Sequence, residues 1–165
     1  MPTLPSLAGV TLRLPITPTV RTWERLLLAW LVVRTLAWTA AVAVGHPNAQ
    51  IDMIEWGSWG GVFQWGYPKH PPLPGWLAGA ALKLSPGGVW GLYLAGYVCA
   101  AACVWVAWRL ACEYMPTRRA VFAALCLDGL AFLTNDPADF SNNVVLYALW
   151  AATALFLHRA YSPEN

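Results

Sequence analysis

The chain has 165 residues, of which 58% are hydrophobic and 11% charged, with a formal net charge of +2. A soluble domain carries about 25% charged residues, and one this poor in charge would expose large apolar patches to water. The composition therefore points to a bilayer, and no run of Lys or Arg marks a nucleic-acid surface.

Residues 1–24, rich in Pro and Thr, read as a cytoplasmic tail, and 25–165 as a polytopic membrane domain. The first apolar run, Leu26 to Val44, is 19 residues broken only by Arg34, close to the roughly 20 that a span requires. Ala41-Val42-Ala43 resembles a signal-peptide cleavage site. The run is longer than a signal core of about 7–15 residues, and Arg34 sits inside it, so a span at 26–44 is the better reading. An extracytoplasmic loop, 45–88, follows. Within it, the short apolar stretch Trp76 to Leu84 carries Lys83 and suits a helix lying in the interface. Pro71, Pro72 and Pro74 predict a stiff backbone that is not helical until after Pro74.

Ser85-Pro86-Gly87-Gly88 then breaks the chain, and Val89 to Trp108 offers 20 uncharged residues, a clear span at 89–108. Two runs of 14 residues remain, Ala120 to Leu133 and Val144 to Leu157. That length is equally typical of a buried core helix, but with polar flanks the runs can cross at 120–134 and 142–157. The expected fold is all-α, with about four transmembrane helices plus interfacial helices in the first loop. Eleven Trp suit such a protein, because indole gathers where one edge is dry and the other wet. Cys99 and Cys103 share a helix face inside an apolar run and read as small packing residues.

Charge placement supports four crossings. With the N-terminus cytoplasmic, Arg13, Arg21, Arg25, Arg109, Arg118, Arg119 and Arg159 fall inside, whereas Lys69 and Lys83 fall outside. Asp52, Glu55, Asp136 and Asp139 also fall outside, and the inverted topology would violate the positive-inside rule. Arg34 and Asp128 each stand about eight residues from the cytoplasmic ends of their runs. Equal depth makes a salt bridge between them geometrically possible.

Chemistry concentrates between Gly45 and Trp76. Asp52, Glu55, Trp56 and Trp59 fall at i, i+3, i+4 and i+7, one face of a short helix. Carboxylates at a bilayer surface are candidates for a raised pKa and general-base work, or for holding a divalent cation through oxygen ligands. The plainer reading is an amphipathic helix whose carboxylates point to water. Lys69 and His70, beside Trp65 and Tyr67 on the proline-stiffened segment, can present a cation and an imidazole to a phosphate. The same segment also reads as a simple proline-rich turn. Asp136, Asp139, Asn142 and Asn143 form a second outward polar cluster, which either borders the same pocket or simply caps the next helix.

Asp52 and Glu55, then Lys69-His70-Pro71-Pro72-Leu73, then the Trp76–Leu84 helix resemble the membrane glycosyltransferases of the GT-C fold. The types resembled are the protein O-mannosyltransferases (glycosyltransferase family 39) and aminoarabinose transferases. The Arg118-Arg119-Ala120 turn and the Asp136-Pro137 loop look similar to theirs. The resemblance implies sugar transfer from a polyprenyl-phosphate carrier to a hydroxyl acceptor on the extracytoplasmic side of a bacterial inner (plasma) membrane. It implies Asp52 as catalytic base with Glu55 assisting or sharing a cation. Lys69, His70, Tyr67 and Trp56 would bind substrate. Two departures stand beside it. The family often has its acidic pair adjacent, whereas here the two are three apart. It also usually has ten or more spans, which implies an N-terminal part and a partner chain supplying the missing helices. The rival expectation is a non-catalytic membrane scaffold binding lipid or a partner protein.

Overall fold

The computed structural model describes residues 19–46 and 48–162. Of the tail expected over 1–24, residues 1–18, with Arg13, lie outside the described residues, and Val20 onwards is already helical. The helices are α1 (Val20–Gly45), α2 (Ile51–Gly60), α3 (Pro72–Leu84), α4 (Trp90–Tyr114), α5 (Thr117–Asp128), α6 (Ala131–Thr134) and α7 (Asn142–Tyr161), with a 3₁₀ turn at Asp136–Ala138. The described residues hold no strand. The protein is all-α, and α1, α4 and α7 are each long and apolar enough to cross a membrane.

Thr19 opens α1 by accepting a hydrogen bond from the Thr22 amide at 3.3 Å. Leu27, Leu31, Arg34, Thr35 and Val42 are buried, at the three- and four-residue spacing of one helix face. The opposite face leaves Leu28, Trp30, Val32, Val33 and Leu36 exposed. A helix facing water would carry polar residues there. Lipid tails, being as apolar as leucine, accept these.

α1 and α4 run antiparallel. Tyr93, near the start of α4, donates to the His46 carbonyl just past α1 at 2.6 Å. Trp38 stacks on Tyr97, and Leu27 and Leu31 share a core with Val104 and Trp108 farther along. α7 runs in the same direction as α4. Its Val145 joins the cluster around Tyr93 and Tyr97, and at its far end Arg159 meets Glu113 at 2.7 Å. One end of the bundle thus gathers Arg21, Arg25, Arg109, Arg118, Arg119 and Arg159, and the other gathers the loop carboxylates.

The crossing expected over 120–134 is not a continuous helix. α5 ends at Asp128 after 12 residues, about 18 Å of rise against roughly 30 Å of hydrocarbon. Gly129 and Leu130 interrupt it, and α6 supplies a single turn. Irregular backbone at this depth persists only where protein satisfies its polar groups. Here Arg34 donates to the Leu133 carbonyl, Tyr97 to the Thr134 carbonyl at 3.1 Å, and the Thr134 hydroxyl to the Leu130 carbonyl at 3.1 Å. The ion pair that equal depth allows is present, with Arg34 Nε 2.7 Å from Asp128 Oδ1.

The helix expected over Trp76–Leu84 begins four residues earlier, at Pro72, with Pro71 as its cap. First-turn N–H groups have no intrahelical partner, so proline loses nothing there. α3 is 13 residues long and packs beside α2 without crossing. Gly87, at φ 78°, makes the turn into α4. A Cβ on Gly79 would strike the Gly60 carbonyl, and one on Gly60 the Gly79 backbone. Gly79→Ala is therefore expected to part α2 from α3 at a cost of about 1–3 kcal/mol. Limited proteolysis should then cut the 61–71 segment faster while α1 and α4 stay protected.

Candidate functional site

α2 places Asp52 in its first turn, two residues beyond the Gln50 cap, and the 3₁₀ turn and its C-cap present Asp136 and Asp139 across from it. Together with Asn135, Asn143 and Tyr147 they line a cavity of about 660 Å³ at the loop end of the bundle. Asp136 is held there, because the Tyr147 hydroxyl donates to its Oδ2 at 2.8 Å. Close packing holds the 3₁₀ turn as well, since Gly96 of α4 lies directly under the Pro137 carbonyl and a Cβ would collide with it. Phe132, Val144 and Trp150 make the rest of the wall apolar. The same Phe132, Tyr147 and Trp150 continue into an apolar groove of about 360 Å³ with Leu127, Leu130 and Ala151. These three side chains thus wall both a charged chamber and an apolar groove between α7 and the interrupted return.

The acidic cluster bears on Asp139. Partial burial pushes its carboxyl above the usual range, and the charges of Asp52 and Asp136 add to that. A carboxyl raised by folding contributes stability that is complete below its unfolded pKa of about 3.9 and is lost as pH rises through its folded value. Asn mimics the protonated form. Asp139→Asn is expected to raise the thermal midpoint at neutral pH, and the gain should shrink towards about pH 4. Thermal unfolding in detergent at the two pH values checks this.

The other expected residues sit apart from this chamber. Glu55 leaves the Asp52 side and pairs with Lys69, whose Nζ lies 2.7 Å from Oε1. That hydrogen bond, and then the charge of Glu55, raise the Lys69 pKa. His70 packs its ring against Trp56 and Trp59 at 5.1 and 5.9 Å between centroids. Trp56 is 1% exposed and belongs to the core beneath His70. Tyr67 is also buried, stacked on Trp59 and donating to the Val62 carbonyl at 2.8 Å. α2 and the proline segment therefore form one aromatic-backed unit carrying Lys69 and His70 at its surface, beside the chamber rather than within it.

Asp52 and Glu55 are thus directed to different partners, and no group of three or more His, Cys, Asp or Glu among the described residues is close enough to hold a metal ion. Tyr147 was not singled out from the sequence. Its signal is a phenol within an apolar run, a hydroxyl that needs a polar partner when packed in a membrane helix.

No curated protein and no solved structure matches the chain. The family model of the dolichyl-phosphate-mannose-protein mannosyltransferases matches residues 69–165, more than half of it. The match takes in Lys69, His70, Asp136, Asp139 and α7, whereas Asp52 and Glu55 precede it. On that match the chain belongs to the dolichyl-phosphate-mannose-protein mannosyltransferase family of membrane glycosyltransferases.

Proposed function

We propose that the protein transfers a sugar from a polyprenyl-phosphate carrier to a hydroxyl acceptor at the extracytoplasmic face, with Asp52 as the general base. The observation that carries this reading is that the acidic chamber and the apolar groove share Phe132, Tyr147 and Trp150 as a common wall. A sugar on a phosphorylated lipid has the same polarity, a polar head on a long apolar tail. The sugar occupies the chamber, and the prenyl chain lies along Phe132, Leu130 and Trp150.

Asp52 accepts the proton of the acceptor hydroxyl as its oxygen bonds to the anomeric carbon. The bond from that carbon to the phosphate oxygen breaks, and the electron pair leaves with the phosphate. Lys69 retains N–H donors beyond the one that meets Glu55, and it and His70 receive the phosphate charge from the adjoining surface. A divalent cation would need a converging set of oxygen ligands. Among the described residues no three His, Cys, Asp or Glu converge in that way, and the transfer is written without one. The Arg side chains gathered at one end of the bundle support a cytoplasmic placement of that end by the positive-inside rule, and with it a chamber on the outer side.

The test is transfer in membranes supplied with radiolabelled polyprenyl-phosphate sugars, comparing wild type with Asp52→Asn. Transfer that disappears in the variant, with insertion intact, supports the reading. A properly inserted variant that still transfers sugar overturns Asp52 as the base, and a wild type with no transfer favours the scaffold reading.

A further inference from the structure

We infer that Arg34, in the middle of α1, is a positioning residue for the acidic chamber and acts through the break between α5 and α6. The inference rests on the site proposed above, because it concerns how Asp136 and Asp139 come to stand opposite Asp52. Arg34 is 5% exposed and grips both sides of the break. Its Nε pairs with Asp128, the last residue of α5, at 2.7 Å. Its Nη2 donates to the carbonyl of Leu133 in α6. One planar fork thus fixes the gap between the two helices, a geometry that guanidinium provides and ammonium does not.

The hold passes outward by contact. Trp30, one turn earlier on α1, donates to the other Asp128 oxygen at 3.0 Å. Tyr97 lies under the guanidinium at 5.7 Å and donates to the carbonyl of Thr134, the residue after Leu133. Gly96 then bears on the Pro137 carbonyl, between the two chamber aspartates. From Asp128 to Pro137 the return segment is pinned to α1 and α4 at four successive points, and Arg34 makes two of them. A buried ion pair needed only for folding would require the Asp128 contact alone. The second grip, on the Leu133 carbonyl, sets where the following residues emerge.

Arg34→Lys separates the two roles, since it keeps a charge for Asp128 but loses the planar fork that spans Asp128 and the Leu133 carbonyl. Spin labels at Gln50 and Asn135, which line the chamber from its two sides, report the spacing in nanodiscs. The four native cysteines are replaced beforehand. The expected result is normal insertion, a broadened distance distribution, a kcat lower by about 10–100-fold and a donor KM within about 3-fold of wild type. Tyr97→Phe keeps the ion pair and frees only the Thr134 carbonyl, and should broaden the distribution less. It serves as the test if the lysine variant fails to insert. A distribution unchanged from wild type overturns the inference whatever the rates. A broadened one with wild-type kcat also overturns it, leaving the contact a structural one. If transfer proves insensitive to Asp52→Asn, the catalytic reading falls separately, and the label distances still decide whether Arg34 sets the chamber.

Discussion

Asp52→Asn is expected to lower kcat for sugar transfer by about 10²–10⁴-fold, the usual contribution of a positioned general base, with little change in donor KM. Asparagine keeps the shape of the side chain and removes only its ability to take a proton. Asp52 sits at the first turn of α2, exposed at the chamber wall, so the change leaves no cavity and no buried orphan. Loss of transfer therefore cannot be credited to misfolding if the protein inserts normally. The substitution also removes one of the charges that raise Asp139, so Asp139 should titrate lower in the variant. Glu55→Gln provides the contrast. Glu55 is bound to Lys69 rather than to the chamber, and its loss should act on donor KM through Lys69. If Asp52→Asn retains transfer and Asp139→Asn abolishes it, the base is Asp139, whose raised pKa already brings it closer to neutral pH.

Much of the fold was legible in the sequence because apolar run length reports bilayer crossing directly. Leu26–Val44 and Val89–Trp108 became α1 and α4, and the Asp52-Glu55-Trp56-Trp59 spacing became α2. The return segment was less readable. Ala120–Leu133 looks like one short span because hydropathy cannot register a guanidinium arriving from another helix to satisfy Leu133. The site was read in part. Asp52 and Glu55 share a helix, yet spacing along α2 does not say that Lys69 captures Glu55 while the 3₁₀ turn reaches Asp52's chamber. Those pairings depend on contacts across 14 residues in one case and more than 80 in the other. Trp56 and Tyr67 carried the right chemistry for a sugar, but the tight α2–α3 contact turns both inward.

The Arg34–Asp128 pair, which equal depth along the chain did disclose, should show the largest stability effect. Arg34→Met removes the cation paired with Asp128 and leaves a carboxylate that is 5% exposed with the Trp30 indole still donating to it. Removing one member of a buried pair costs about 3–5 kcal/mol, because the survivor stays charged in a poor solvent. Asp128→Leu should cost a similar amount by stranding Arg34, whose Nη1 already has no hydrogen-bond partner. Arg34→Met with Asp128→Leu removes both charges and leaves only neutral groups, the Leu133 carbonyl and the Trp30 indole N–H, without their partners. Such groups cost about 1–3 kcal/mol each at most, and hydrocarbon side chains refill the space. The double variant should therefore lose clearly less than the sum of the singles, measured by unfolding of the full chain in mixed micelles. Strictly additive losses would show that the two groups do not feel each other. The double variant should also remain poor at transfer despite its recovered stability. Hydrophobic side chains can fill the break, but they cannot fix the Leu133 carbonyl or the turn of chain that carries Asp136 and Asp139 beyond it.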